Sequence, residues 1–157
     1  MIKSIIENMK SIFSQLQLEP ALKSVKYGFS GSIPATDQPC LFFNISKIER
    51  VEILANSNFS AASIVANIEI VLFTSVLTNP ENAAKEAQKY LWQYSEKGED
   101  IGIMPFLLNL VGEVLFTDKK GRAWQLSEVG EFSIFGANNA ANARGALRTI
   151  AKIRCLI

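Results

Sequence analysis

The strongest constraint on the fold is a long alternating stretch that covers residues 62–78. Even-numbered positions from Ile64 to Leu72 are apolar, whereas Asn67, Glu69 and Ser75 occupy positions between or beyond them. A two-residue period is typical of a β-strand with one buried face. We therefore expect a long strand whose other face is solvated or meets a partner.

A second extended region precedes this strand. Residues 40–45 are apolar enough for a buried strand, and a second strand is predicted at residues 47–54, where Ile48, Val51 and Ile53 resume the alternation. Residues 56–58 are typical of a turn. The two regions predict an antiparallel hairpin.

Two amphipathic helices are predicted. The first covers residues 2–18 and ends at Pro20. The second is capped by Asn79 and begins at Pro80, where the missing N–H costs nothing. The apolar stripe predicted for the second helix is Ala83, Ala84, Ala87, Tyr90, Leu91 and Tyr94.

The remaining segments complete an α+β fold. Strands are predicted at residues 22–29, in a hairpin of residues 113–117 and 122–127 that turns at Gly121, and at residues 146–157. Residues 101–111 fit either a short helix or a covered loop. The small residues at 136–145 predict a segment that is mobile or ordered by a partner. Together these elements predict one domain over residues 1–157, with a mixed, largely antiparallel sheet flanked by the N-terminal and central helices.

Composition excludes several kinds of function. The chain of 157 residues has no His, two Cys and a formal net charge of +1, which removes His-dependent triads, Cys-rich metal sites and strongly basic nucleic-acid binding. The two cysteines, Cys40 and Cys155, are expected to be free, half-buried thiols. Adjacent acids such as Glu99 and Asp100 fit solvated loops better than a cation site. We predict no catalytic, cofactor or metal site, no secretory leader and no membrane span.

Charge is concentrated at the C-terminal end. From Asp118 onward there are seven basic residues and three acidic ones, so this part of the chain carries about +4. Arg148, Lys152 and Arg154 lie at even spacings and are predicted to share one face of the last strand. That face is either simply solvated, or a basic lining or subunit contact that attracts phosphates or an acidic partner.

Trp92 is the aromatic residue that departs from the core pattern. It lies off the alanine stripe of the second helix, beside Tyr94. An exposed Trp is typical of a protein contact. We therefore include Trp92 among the interface candidates.

The order of elements resembles the tail-terminator and tail-completion proteins of long-tailed bacteriophages. The similarity lies in an N-terminal helix, strands around residues 39–43 and 47–54, a long strand ending at Leu77, a helix opened by residues 79–81, and a C-terminal hairpin with a closing strand. It spans nearly the whole chain and rests on layout, without a diagnostic motif. Residues 101–111 match least well.

This resemblance implies a structural virion protein. Members of the family assemble as a ring, typically of six subunits, that ends tail-tube growth and joins the tail to the head. The implied partners are identical copies, tail-tube and head–neck proteins, and DNA that passes through the lumen without sequence-specific binding. The implied location is the head–tail junction of the virion, and the host cytoplasm during assembly. No cofactor and no catalytic residue are implied.

The same resemblance suggests where subunits meet. The hairpin at residues 55–61, with Asn58 and Phe59, and the segment at residues 136–145 would contact neighbours. Basic residues of the last strand would face the lumen. The candidate interface and lumen residues are Asn58, Phe59, Trp92, Asn138, Asn139, Arg144, Arg148, Lys152 and Arg154. The alternative is a monomeric α+β binding module or small enzyme with a pocket between the sheet and the second helix.

Overall fold

The computed structural model describes residues 1–28, 38–56, 59–77, 80–139 and 142–156. The helices are α1 (Ile2–Phe13), α2 (Pro80–Lys89) and α3 (Ile103–Leu110). The strands are β1 (Ser24–Tyr27), β2 (Cys40–Asn56), β3 (Phe59–Leu77), β4 (Gln93–Tyr94), β5 (Asp100–Ile101), β6 (Val114–Thr117), β7 (Ala123–Val129), β8 (Ser133–Asn139) and β9 (Asn142–Leu156).

The hairpin of β2 and β3 dominates the sheet. The strands pair antiparallel from Cys40–Phe73 to Asn56–Phe59, which confirms the predicted hairpin. A register shift between Ile45 and Lys47 bends β2 without interrupting it. The two strands predicted at residues 40–45 and 47–54 are therefore one strand. The turn residues Ser57 and Asn58 lie outside the described residues.

Seven strands form the main sheet in the order β1-β2-β3-β9-β7-β6, with β8 paired to the first half of β9. β1 runs parallel to β2, and all other pairs within this sheet are antiparallel. β7 and β8 follow one another along the same side of β9. The mixed, largely antiparallel sheet and its N-terminal helix confirm the α+β fold class.

All three helices contribute to one core on one side of the sheet, which we call the inner face. In β9 this face carries Leu147, Ala151, Ile153 and Cys155, as the alternation predicts. Phe13 of α1 packs edge-on against Phe43 of β2, with ring centroids 5.1 Å apart. Apolar burial on this face holds helices and sheet together.

Helix α1 is shorter than predicted. It ends at Phe13, and the Ser14 hydroxyl donates to the Lys10 carbonyl at 2.7 Å. Leu16 and Leu18 are buried in the core although they lie beyond the helix. The apolar spacing thus continues into non-helical chain, and the prediction of a helix to residue 18, ended by Pro20, is wrong.

Helix α2 lies directly on β9, and Gly145 permits this contact. A Cβ on Gly145 would lie 2.8 Å from the Ala87 Cβ and 2.9 Å from the Ala83 carbonyl carbon. Ala83 and Ala87 are fully buried, as the stripe predicts.

Helix α2 ends at Lys89, so Tyr90, Leu91, Trp92 and Tyr94 lie beyond it. Tyr90 is buried as predicted, whereas Tyr94 belongs to β4 and is exposed, so its place in the stripe is wrong. The helix begins at Pro80 as predicted, and its proposed cap Asn79 lies outside the described residues.

Residues 136–139 and 142–145 form strands, where a mobile or partner-ordered segment was expected. Gly136 pairs with Gly145, and pairing continues to Asn139 and Asn142. Residues 140 and 141 lie outside the described residues. The expected loop is therefore wrong for the described residues, which pair as strands, and Gly145 lies where α2 leaves no room for a Cβ.

The ambiguous segment at residues 101–111 contains α3. Gly102 precedes the helix with φ of 112°, and a Cβ there would lie 2.9 Å from the Leu91 carbonyl oxygen. Pro105 falls in the first turn, where a missing N–H is tolerated. None of the helices in the described part of the chain is long and apolar enough to cross a membrane.

Candidate interaction surfaces

The three basic residues of β9 share one face, as predicted. Arg148, Lys152 and Arg154 pair in register with Val71, Asn67 and Val65 of β3. Their side chains point away from the inner face, because inner-face residues occupy the alternate positions of β9. We call this side of the sheet, with these six residues, the outer face.

Two of these cations form ion pairs within the subunit. Arg148 Nη2 lies 2.9 Å from Glu69 Oε2, and Lys152 Nζ lies 3.4 Å from Glu128 Oε2. Arg154 is exposed and has no ion pair among the described residues. The row is therefore less positive than its sequence indicates, and Arg154 is its most available cation.

The hairpin candidates lie at opposite ends of the sheet. Phe59 begins β3 near the C-terminal end of β9, whereas Asn138, Asn139 and Arg144 lie in the β8–β9 hairpin near the C-terminal end of β3. Asn58 lies outside the described residues. The structure thus places these candidates in two separate groups.

Trp92 lies on an exposed projection. Its side chain is 43% exposed, and the indole Nε1 donates to Asp100 Oδ1 at 2.9 Å. Tyr94 is 72% exposed on the same projection. We call residues 92–101, which contain β4 and β5, the acidic hairpin, because Glu96, Glu99 and Asp100 outnumber Lys97.

Hydrogen bonds lie within the acidic hairpin and at its base. Ser95 N donates to the Glu99 carbonyl at 2.8 Å, and Glu99 N donates to the Ser95 hydroxyl at 3.1 Å. At its base, Gln93 exchanges two hydrogen bonds with the Glu19 backbone. The exposed aromatic side chains therefore lie on a hairpin that is hydrogen-bonded both internally and at its base.

An exposed apolar group on the β6 side was not predicted. Leu108, Val111 and Val114 are 50%, 42% and 53% exposed. Residues 103–111 contain more apolar positions than a short helix can bury on one face, and this excess is the signal that could have identified them. Exposed apolar groups of this kind are typical of contact surfaces.

Strand β2 has a long open edge. β1 covers only residues 40–43, and within the described part of the chain no strand pairs with residues 44–56 on the side away from β3. The Tyr27 hydroxyl accepts from Ile45 N at 3.4 Å at the start of this edge. Unpaired strand edges present backbone groups that another chain can bind.

Among the described carboxylates, the pKa of Asp118, in the turn between β6 and β7, is the most perturbed. It accepts hydrogen bonds from Lys120 N, Arg122 N, Arg122 Nε and Trp124 Nε1 at 2.8–3.1 Å. Burial alone would raise its pKa, but these donors outweigh burial and lower the pKa from 3.8 to about 2. All four partners belong to the turn and its strand, so Asp118 stabilises this turn.

The two cysteines are free and fully buried, where half-buried thiols were expected. Burial raises the pKa of the Cys155 thiol, with smaller opposing effects from Arg122 and Asp118. Among the described residues no group of three or more His, Cys, Asp or Glu side chains could hold a metal ion.

The described depressions are small and open. One, lined by residues such as Gln17, Asp100 and Phe106, has a cavity volume of about 140 Å³. Pockets for small molecules are usually about 300–1,000 Å³. Between α2 and the sheet, the contact of Gly145 with Ala83 and Ala87 leaves no room for a ligand at that point.

No protein-family model matches the chain, and no curated protein matches it.

Proposed function

We propose that this protein is a structural subunit of a ring at the head-proximal end of a phage tail, where it ends tube polymerisation and joins tail to head. The proposal rests on the layout resemblance and on one structural observation that carries it furthest: the open edge of β2 at residues 44–56. Charged residues such as Lys47, Glu49 and Arg50 lie along this edge, but its unpaired backbone groups are still able to bind another chain. In a ring of identical subunits, the neighbouring subunit would bind there.

Further support comes from how the surfaces are distributed. The helices occupy the inner face, while exposed apolar groups lie on the β6 side and aromatic residues project at the acidic hairpin. Different surfaces on one subunit favour head-to-tail contacts, and head-to-tail contacts close into rings when the rotation fits. The direct seating of α2 on β9 weighs against the alternative, a ligand pocket between sheet and helix.

The ring would carry DNA through its lumen without reading sequence. We place the part of the outer face that carries Arg148 and Lys152 toward the lumen, where these cations attract phosphates less strongly because each is paired with a carboxylate. Attraction of this kind is electrostatic and weakens with added salt. The summed field of several copies is needed, because two ion-paired cations per subunit attract DNA only weakly.

The test is assembly in solution and in particles. Light scattering and negative-stain microscopy should show a ring of about six copies, either alone or on contact with purified tail tubes. In a phage that encodes this chain, loss of the protein should leave tubes of uncontrolled length that do not join heads. A protein that is monomeric both alone and in virions would refute the proposal.

A further inference from the structure

We infer that the acidic hairpin of one subunit docks on the β6 side of the next copy, and this inference rests on the proposed ring. The receiving surface, which we call the basic rim, comprises Val114, Lys119, Lys120 and Arg154. The occupant is a second copy of this chain, chosen because the two surfaces complement one another in charge and in apolar character.

The acidic hairpin has the properties of a contact element. It presents Trp92 and Tyr94 to solvent, supported by the Trp92–Asp100 hydrogen bond and the Ser95–Glu99 turn. Trp and Tyr are enriched among residues that dominate binding energy. Three carboxylates against Lys97 give the hairpin a net charge of −2.

The basic rim has the matching properties. Val114 pairs with Gln125 and Gln125 with Arg154, so Val114 and Arg154 lie in one row across the sheet, about 10 Å apart. Lys119 and Lys120 are exposed in the adjoining turn, where Asp118 is already engaged by Arg122. Glu113 also lies on this rim, so the net charge of these free groups is +2.

The two surfaces lie on different parts of the subunit. The hairpin is anchored beside the end of α1, through Gln93 to Glu19 and Gly102 to Gln17, whereas the rim is formed by β6, β9 and the Asp118 turn. Docking between copies is therefore head-to-tail, as a ring requires. In the contact, lysine ammonium groups can meet both carboxylates and the faces of Trp92 and Tyr94.

Charge reversal on full-length protein tests this docking. Glu96→Lys with Glu99→Lys reverses the net charge of the acidic hairpin. Lys119→Glu with Lys120→Glu reverses the net charge of the basic rim. All four side chains are exposed, so folding should persist, as checked by circular dichroism and thermal unfolding. Glu7→Lys with Glu131→Lys, at exposed positions elsewhere, makes the same net charge change as the hairpin variant.

Light scattering at low salt measures the assembled fraction of each variant, both alone and mixed with tail tubes. Each reversal should weaken association at least about tenfold, the combination of all four should restore it, and the control should assemble like the wild type. Tyr94→Ala should weaken association without altering thermal unfolding.

The outcomes separate this docking from the proposed function. If the wild type assembles and both reversals assemble equally well, or if the fourfold variant is not restored, the docking is refuted while the ring stands. If the wild type never assembles, with or without tubes, both are refuted.

Discussion

Arg148 of β9 and Glu69 of β3 form an ion pair across the outer face, with Nη2 and Oε2 2.9 Å apart. The pair is diagonal, because Arg148 lies in register with Val71 and Glu69 with Ile150. Their side chains are 42% and 21% exposed, so water and salt screen the interaction. The consequence for function is that Arg148 offers DNA less positive charge than its position suggests.

A double-mutant cycle measures this pair. Arg148→Gln, Glu69→Gln and the double variant should give a coupling free energy of unfolding below about 1 kcal/mol, which shrinks as salt rises. Urea unfolding at low and high salt provides the measurement. A coupling free energy of several kcal/mol that does not change with salt would contradict the interpretation of this ion pair as a screened surface interaction.

Gly145→Ala should destabilise the protein through the contact between α2 and β9. The new methyl group would collide with the Ala83 backbone and the Ala87 side chain, so the helix must shift. The expected cost is about 1–3 kcal/mol in urea unfolding. Ser133→Ala, at an exposed position of the neighbouring β8, should change stability by less than about 0.5 kcal/mol. Equal stability of Gly145→Ala and wild type would show that α2 does not press on this residue.

The strands with two-residue alternation were predictable because the pattern is local and long. The hairpin of β2 and β3 and the two faces of β9 follow directly from it. The prediction of a loop at residues 136–145 failed because small residues are typical of loops. Here the small residue Gly145 is required by the close approach of α2. Tertiary packing overrode the local signal.

The candidate surfaces were predictable only in part. The shared face of Arg148, Lys152 and Arg154 follows from spacing, but the pairing of Arg148 with Glu69 and of Lys152 with Glu128 depends on strands distant in sequence. The basic rim depends on the same long-range register, because Val114 and Arg154 lie in one row only through their shared partner Gln125 in β7. No spacing rule within one strand supplies that register.

The buried thiols of Cys40 and Cys155 should resist labelling in the native protein. Both are fully buried, and burial raises the pKa of Cys155, so little reactive thiolate is present. Reaction with a thiol reagent at pH 8 should be slower than in denaturant by about a hundredfold or more, because it requires an opened state. Ser133→Cys adds an exposed thiol that should react at once. Rapid labelling of two thiols in the native wild type would contradict the packing of β2 and β9.

Asp118 should give the fold a specific sensitivity to acid. Its pKa is lowered to about 2 in the folded protein, below the ordinary value of 3.8, so the ionised carboxylate stabilises the fold. This contribution is complete above about pH 4 and is lost as the pH falls toward 2. Asp118→Asn removes it, so the variant should be less stable than the wild type at neutral pH, and the difference should shrink between pH 4 and 2. Urea midpoints across this range test the prediction, with Glu131→Gln as the control for losing one exposed carboxylate. If the urea midpoints of Asp118→Asn and wild type still differed as much at pH 2 as at neutral pH, the loss of stability would come from packing. It would not come from the carboxylate charge that Trp124 and Arg122 stabilise by hydrogen bonding.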